Sequence, residues 1–432
     1  MNDTEPKRIE ILRLTSDGSG VGYIDGKATF VPGLLPGEKA EIVIEESKKS
    51  WQRGKIKLLL PDHSPNRINP PCTVYEVCGG CQLQHLEYEQ TLYWKTEWVK
   101  DTLSRIGKIK ADVKPTIGME NPWRYRNKVR LHRSANGHWG YHQAKSNSNV
   151  VFSDCLLISE QMNEWIRLFD RVLGDRYRGL HTCTWRQNNA GRGLCLVEID
   201  SAIESDAKTY IRRQEKLFRD EGVESFWAVD SKGRIENWFG EDYLAESILG
   251  LNFKVSPLAF LQVNPQQTEK LYSLVLEHAE LTGKENVWDL YCGIGTITLA
   301  LAKKSQHVLG IEQNPHAVKD AGLNSELNKI ENAKFITGKV EDLINGIHDK
   351  PDVIVLDPPR AGANRLVLET IIKVRPERIV YVSCDPGTLA RDLGILSQAG
   401  YSVGIVQPVD MFPWTQHVEC IILMTNCGQK EK

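Results

Sequence analysis

The chain has 432 residues, 10 cysteines and a formal net charge of −2 from 54 basic and 56 acidic residues. This balance excludes a wholesale polycation, so any nucleic-acid surface must come from local clustering of basic residues. The length is sufficient for about three domains of roughly 100 to 200 residues.

The N-terminus lacks the apolar core of a signal peptide, and no apolar run approaches the ~18 residues of a membrane helix. We therefore expect a soluble, monomeric protein of the cytoplasm with no membrane partner. In a reducing compartment, the cysteines predict thiolate chemistry or a metal rather than a disulfide framework.

The first 60 residues contain short runs of alternating apolar and polar residues separated by glycines. Examples are residues 8–13, 28–31 and 39–44. Short strands with glycine turns predict a small antiparallel barrel of the oligonucleotide-binding type over residues 1–60. Residues 61–71, which begin and end with proline, are interpreted as the linker that follows.

Four cysteines suggest a metal centre. Cys72, Cys78 and Cys81 lie on one glycine-bearing loop, and Cys155 follows a strand much later. Such a set can close a tetrahedral shell around zinc or hold an iron–sulfur cube. Zinc sites more often use two paired knuckles, so the spacing favours the cluster without excluding zinc. We expect a structural rather than a catalytic role.

Residues 66–250 are predicted to form a mixed, mostly β domain. Apolar residues at helical spacing predict a helix over residues 83–107, which could pack on the C-terminal domain. Strands are expected around Val129, 193–199 and 225–229.

A basic stripe is predicted within this domain. Residues at every second position would project from one strand face and could neutralise successive RNA phosphates; the alternative is the solvated face of an antiparallel strand. The stripe comprises Arg124, Arg126, Lys128, Arg130 and His132.

Residues 251–432 alternate between strand and helix patterns. Strands at 286–290 and 307–312 precede helices at 296–304 and 315–328. This alternation predicts a Rossmann-like, doubly wound parallel sheet.

The loop 289–296 has the character of a cofactor loop. Gly293 and Gly295 allow a ligand to approach the backbone, and Glu312 ends the next strand, where a carboxylate can bind ribose hydroxyls. The loop lacks the lysine and hydroxyl of a P-loop, and Asp289 and Glu312 would repel a pyrophosphate. S-adenosylmethionine, a sulfonium, therefore fits better than a dinucleotide.

Three further residues are candidates for the chemistry. Cys384 follows the apolar run 378–383 and is poised as a nucleophile, although buried cysteines are often only core residues. Asp357 ends another buried strand, where it would face the ligand crevice or merely cap a helix. Glu419 precedes the final apolar strand and is either a base or a solvated surface residue. Arg360 stands where amino-group methylases commonly have an aromatic, which weighs against an exocyclic amine target.

These groups suit methyl transfer to C5 of uracil. A thiolate adds to C6, C5 attacks the methyl sulfonium, a base removes the C5 proton, and the thiolate is expelled. Such chemistry on folded RNA requires that the base be flipped out.

Together the motifs resemble the RNA uracil-5-methyltransferase family, in its branch with an N-terminal TRAM domain and a [4Fe-4S] cluster. The resemblance implies that Cys384 is the nucleophile and Glu419 the base. It implies S-adenosylmethionine binding by Gln262, Tyr291, Glu312 and Asp357, and cluster ligation by Cys72, Cys78, Cys81 and Cys155. The motifs that carry it are the barrel, the four cysteines, Phe260–Asn264, Asp289–Gly295, Asp357–Arg360, Ser383–Pro386 and His417–Glu419.

The expected partner is RNA. Members of this branch mainly modify 23S ribosomal RNA, with tRNA as an alternative substrate. Two other functions stay open at this point: an RNA cytosine-5-methyltransferase, which shares the thiolate chemistry, and a non-catalytic RNA-binding protein.

Overall fold

The computed structural model describes residues 5–144, 146–174, 176–347 and 349–428. Six strands form an N-terminal barrel-like sheet: β1 (Lys7–Glu10), β2 (Arg13–Leu14), β3 (Ser19–Ile24), β4 (Lys27–Pro32), β5 (Lys39–Ser47) and β6 (Trp51–Leu59). Their order is β1-β5-β6-β4-β3-β2, and all pairs are antiparallel except β4–β6.

The barrel closes around a small apolar core that includes Ile9, Val31 and Ile42. A Cβ atom at Gly22 would lie 2.2 Å from the carbonyl oxygen of Glu10, so only glycine lets β3 pass this close to β1. The predicted barrel is confirmed, with one parallel pair that alternation cannot reveal.

The predicted helix over residues 83–107 is shorter in the structure. Helix α1 spans Tyr88–Thr102 and ends in a π-helical turn, Leu103–Gly107. It packs on the C-terminal sheet, where the ammonium of Lys95 donates a 2.6 Å hydrogen bond to the carboxylate of Asp410. Both side chains are fully buried, so this ion pair ties the helix to the segment before the last strand.

A seven-stranded sheet forms the middle of the chain, in the order β13-β12-β11-β10-β7-β8-β9. Its core contains several aromatic side chains in contact with one another, among them Trp165, Phe169 and Trp185. The strands are β7 (Lys128–Arg133), β8 (Trp139–His142), β9 (Asn149–Val151), β10 (Leu180–Gln187), β11 (Gly193–Ile199), β12 (Val223–Asp230) and β13 (Ile235–Gly240). The helices are α2 (Glu160–Leu173), α3 (Glu204–Arg213) and α4 (Glu215–Asp220).

The predicted basic stripe is wrong in its extent. Strand β7 begins only at Lys128, and Arg124 lies outside it. Arg124 has a left-handed backbone (φ +56°), and its guanidinium donates two 2.8 Å hydrogen bonds to the carboxylate of Asp154. Arg130 is also paired, with Glu198. The five basic side chains therefore do not share one strand face.

A separate two-stranded sheet, β14 (Leu244–Ile248) and β15 (Leu251–Val255), precedes the C-terminal sheet in the chain. The C-terminal sheet also has seven strands, in the order β18-β17-β16-β19-β20-β22-β21. The first five strands in that order run parallel, and β22 is antiparallel to both neighbours. The strands are β16 (Asn286–Leu290), β17 (His307–Glu312), β18 (Ala333–Thr337), β19 (Val353–Leu356), β20 (Arg378–Ser383), β21 (Tyr401–Val409) and β22 (Glu419–Asn426).

Helices pack on both faces of this sheet, each face with its own apolar cluster, which confirms the predicted Rossmann-like fold. They are α5 (Pro265–Ala279), α6 (Thr296–Ala302), α7 (Pro315–Leu327), α8 (Val340–Leu343), α9 (Arg365–Val374) and α10 (Pro386–Gln398). The direction of winding reverses between β16 and β19, so the ligand crevice is expected at the carboxyl ends of these strands. Within the described ranges, no helix has the length and apolar character needed to cross a bilayer.

Candidate active site

One cavity of about 1220 Å³ opens at the carboxyl ends of the central parallel strands. The structure brings together here all six residues proposed for catalysis and cofactor binding. They are Gln262, Tyr291, Glu312, Asp357, Cys384 and Glu419. Because they come from six separate segments, only the fold gathers them into one site.

The loop between β16 and α6 forms one wall. Tyr291 has a left-handed backbone (φ +70°), which is unusual for a bulky residue and marks a constrained position. Glu312, at the end of β17, accepts a 3.2 Å hydrogen bond from the amide of Gly293 and a 2.8 Å bond from that of Asn314. These bonds fix the carboxylate beside the glycine loop.

Cys384 lies between the end of β20 and the start of α10. Asp385 caps this helix by accepting hydrogen bonds from the amides of Gly387 and Thr388 at 2.8 and 2.9 Å. The cap fixes the chain on one side of Cys384 and the strand fixes it on the other. Burial, followed by the charges of Glu419 and Asp357, raises the pKa of the Cys384 thiol to about 12, so the resting group is a thiol.

The cavity is rich in buried carboxyl groups. Glu419 is only 3% exposed, and burial, followed by the charge of Asp357, raises its pKa to about 8. Burial likewise raises the pKa of Asp357 to about 7, and it raises the pKa of Asp289, which does not line the cavity, to about 7. A bound sulfonium would favour the ionised carboxylates, so the site suits a cationic cofactor.

The chain is similar to proteins named as RNA methyltransferases over nearly its whole length. A family model described as tRNA (Uracil-5-)-methyltransferase matches residues 231–427, and a TRAM domain model matches residues 5–57. A Listeria monocytogenes protein named as an uncharacterized RNA methyltransferase is 41% identical over 96% of both chains. The chain belongs to the RNA uracil-5-methyltransferase family.

Two further comparisons agree with this assignment. A Halalkalibacterium halodurans protein, also named as an uncharacterized RNA methyltransferase, is 39% identical over 98% of both chains. The crystal structure of Pyrococcus abyssi tRNA (uracil-54, C5)-methyltransferase in complex with S-adenosyl-L-homocysteine is 25% identical. It superposes with a TM-score of 0.76 and covers 97% of this chain and 100% of its own. The protein is thus an RNA methyltransferase that uses S-adenosylmethionine.

The buried carboxyl groups of this methyltransferase give its stability a pH dependence. The ordinary pKa of a glutamate is 4.5, and that of Glu419 in the fold is about 8. As pH rises, Glu419 therefore loses its carboxyl proton first in the unfolded chain. The free energy of unfolding falls between about pH 4.5 and pH 8. We expect Glu419→Gln, which carries no charge, to be more stable than the wild type by about 4 to 5 kcal/mol at pH 8.5.

Urea unfolding of both ligand-free proteins at pH 5 and pH 8.5 measures this difference. At pH 5 the difference should shrink to below about 1 kcal/mol, because Glu419 is then protonated in the fold and only partly ionised in the unfolded chain. If Glu419→Gln were more stable than the wild type by the same amount at both pH values, Glu419 would be ionised in the folded protein.

A second, smaller cavity of about 240 Å³ is lined by all four predicted metal-ligating cysteines. In the part of the chain that the structure describes, no three His, Cys, Asp or Glu side chains are close enough to bind one metal ion. The four cysteine side chains share this one cavity. They are Cys72, Cys78, Cys81 and Cys155.

Several residues near the sites have no clear sequence signal. Gln262 and Tyr291 are found only through the family resemblance, since the buried amide and the left-handed backbone are invisible in the sequence. His417 also lines the large cavity, where its Nε2 atom lies 3.4 Å from the guanidinium of Arg360. Burial, followed by the charge of Arg360, lowers the pKa of His417 to about 4, so this imidazole is neutral.

A small cationic cluster remains from the predicted basic stripe. Burial, followed by the charges of Arg186, Arg130 and Arg126, lowers the pKa of Lys128 to about 8. The cluster adjoins the active site, because the amide of Asn127 donates a 2.8 Å hydrogen bond to the carbonyl of Val263, next to Gln262. An RNA phosphate would relieve the repulsion among these cations.

Proposed function

We propose that this protein methylates C5 of a uridine in RNA through a covalent bond between Cys384 and C6 of the base. The observation that carries the proposal is that the Cys384 thiol and the buried carboxyl group of Glu419 line the same cavity. The charge of Glu419 raises the pKa of Cys384, so the two groups are within electrostatic reach. Addition followed by proton abstraction needs this pair of groups.

Each step of the reaction has a group to perform it. The Cys384 thiol releases its proton to solvent, the resulting thiolate forms a bond to C6, and the electron pair of the C5–C6 double bond moves toward C5. C5 takes the methyl group from the sulfonium, which leaves as S-adenosylhomocysteine. Glu419 then removes the C5 proton, the double bond re-forms, and the C6–S bond breaks.

The cofactor residues have complementary tasks in this proposal. Glu312, fixed at the end of β17, binds the ribose hydroxyls. Asp357 presents a carboxylate to the sulfonium, and Gln262 and Tyr291 complete the pocket around the cofactor. These roles are supported by the shared cavity and by the family to which the chain belongs.

The four cysteines are proposed to hold a [4Fe-4S] cluster rather than zinc. When bound, such a group would fasten the loop 72–81 to the segment around Cys155. We expect the anaerobically purified protein to contain about four iron atoms per chain, and Cys81→Ser to contain less than about one.

Iron, sulfide and zinc analysis of both proteins makes this measurement. Cys427→Ser is the matched control, because Cys427 is exposed and lies outside the cavity. Stoichiometric zinc without iron in the wild type would contradict the cluster.

The proposed substrate is 23S ribosomal RNA in the cytoplasm, acted on by a monomer. The alternative is tRNA, because the Pyrococcus abyssi enzyme is named as a tRNA (uracil-54, C5)-methyltransferase. Mapping 5-methyluridine in both RNA classes, from cells with and without the gene, distinguishes the two. Loss of a modified uridine from tRNA alone would overturn the ribosomal assignment.

A further inference from the structure

Residues 410–418, here called the catalytic turn, connect β21 to β22 and place Glu419 at the cavity. Residues 72–86, here called the cysteine loop, contact this turn directly. The backbone amides of Gln82 and Leu83 both donate 3.0 Å hydrogen bonds to the carbonyl of Trp414. The side-chain oxygen of Gln82 also accepts a 3.3 Å bond from the amide of Gln416.

The catalytic turn depends on such outside support. Trp414 has a left-handed backbone (φ +66°), a conformation that persists in a bulky residue only when its surroundings enforce it. Its indole stacks on Trp123 with ring centres 4.4 Å apart and donates a 3.0 Å hydrogen bond to the carbonyl of Pro122. The turn is thus held by neighbouring segments in addition to its own hydrogen bonds, such as the 2.8 Å bond that the Thr415 hydroxyl donates to the carbonyl of Phe412.

The path from the cysteine loop to the proposed base is short. Gln82 immediately follows Cys81, and its side chain also donates a 2.9 Å hydrogen bond to the carbonyl of Gly79. On the other side, only His417 and Val418 separate Gln416 from Glu419. A shift of the Gln416 amide would therefore move the start of β22 and the carboxyl group with it.

We propose that Gln82 is a positioning residue for Glu419, acting through the amide of Gln416. The inference rests on the proposed function, in which Glu419 removes the C5 proton after methyl transfer. Gln82 should accordingly influence that late step and leave the earlier bond formation by Cys384 unaffected. A residue that merely stabilised the fold or bound RNA would affect both.

The test compares Gln82→Ala with the wild type in two assays. With uridine RNA, we expect kcat to fall about tenfold, as for the loss of one hydrogen bond, with KM for both substrates within about twofold. With 5-fluorouridine RNA, the rate of covalent adduct formation should match the wild type. Fluorine replaces the C5 proton, so this reaction stops before the base acts.

Two variants and one structural measurement sharpen the test. Gln82→Glu keeps an acceptor for the Gln416 amide and should recover kcat to within about threefold of the wild type. Glu76→Ala, an exposed change on the same loop, should behave as the wild type. Hydrogen exchange of the peptide covering 412–418 should be faster in Gln82→Ala than in the wild type.

Turnover of Gln82→Ala at the wild-type rate would overturn the inference, as would an equal fall of kcat and adduct formation. Glu419→Gln separates this failure from failure of the proposed function. If Glu419→Gln accumulates an adduct with uridine RNA while Gln82→Ala is unimpaired, only the role of Gln82 is wrong. If Glu419→Gln accumulates none, the proposed function and the role of Gln82 fail together.

Discussion

Replacing Cys384 with alanine should lower methylation by at least about a thousandfold, because C5 of uracil is too weak a nucleophile without addition of sulfur at C6. The side chain lines the cavity without supporting the core, so the variant should fold and still bind RNA. Transfer of tritiated methyl from S-adenosylmethionine to RNA, with purified protein, measures the loss.

Cys427→Ala is the matched control, since its thiol is exposed and does not line the cavity. Its activity should equal that of the wild type. A Cys384→Ala protein that retained a tenth of the wild-type rate would rule out covalent catalysis by this residue. RNA binding by filter retention shows in parallel whether the variant is intact.

Replacing Glu419 with glutamine should stop the reaction one step later. Addition and methyl transfer need no proton removal from C5, so the enzyme should accumulate a methylated covalent adduct with ordinary uridine RNA. Turnover should fall by about a hundredfold to ten-thousandfold, the usual contribution of a general base. Denaturing electrophoresis reveals the adduct as a shifted protein band.

The matched control for this variant is Glu377→Gln, at an exposed position outside the cavity. It should turn over normally and give no shifted band. If Glu419→Gln turned over slowly but gave no adduct, Glu419 would act before methyl transfer, contrary to the proposed role.

The sequence predicted the architecture well because the relevant patterns are local. Alternation in residues 286–312 identifies two parallel strands and the helix between them, and glycines at 293 and 295 mark the cofactor turn. The candidate residues at strand ends follow from the same logic, since parallel strands bring their carboxyl ends to one edge.

The parts that could not be predicted depend on contacts between distant segments. Arg124 fits an alternating strand pattern, but its ion pair with Asp154 and its left-handed backbone end that pattern. The burial of Glu419 likewise comes from the packing of the catalytic turn, and the sequence left open a solvated residue there. Contact between Gln82 and Trp414 joins positions more than 300 residues apart.

The measurement that tests the central claim most directly is mass spectrometry of the complex trapped with 5-fluorouridine RNA and S-adenosylmethionine. After digestion, the peptide containing Cys384 should carry the mass of a methylated 5-fluorouridine nucleotide, and no other cysteine peptide should be modified. Attachment at a different cysteine, or unmodified Cys384 in an enzyme that methylates uridine RNA, would contradict the covalent mechanism.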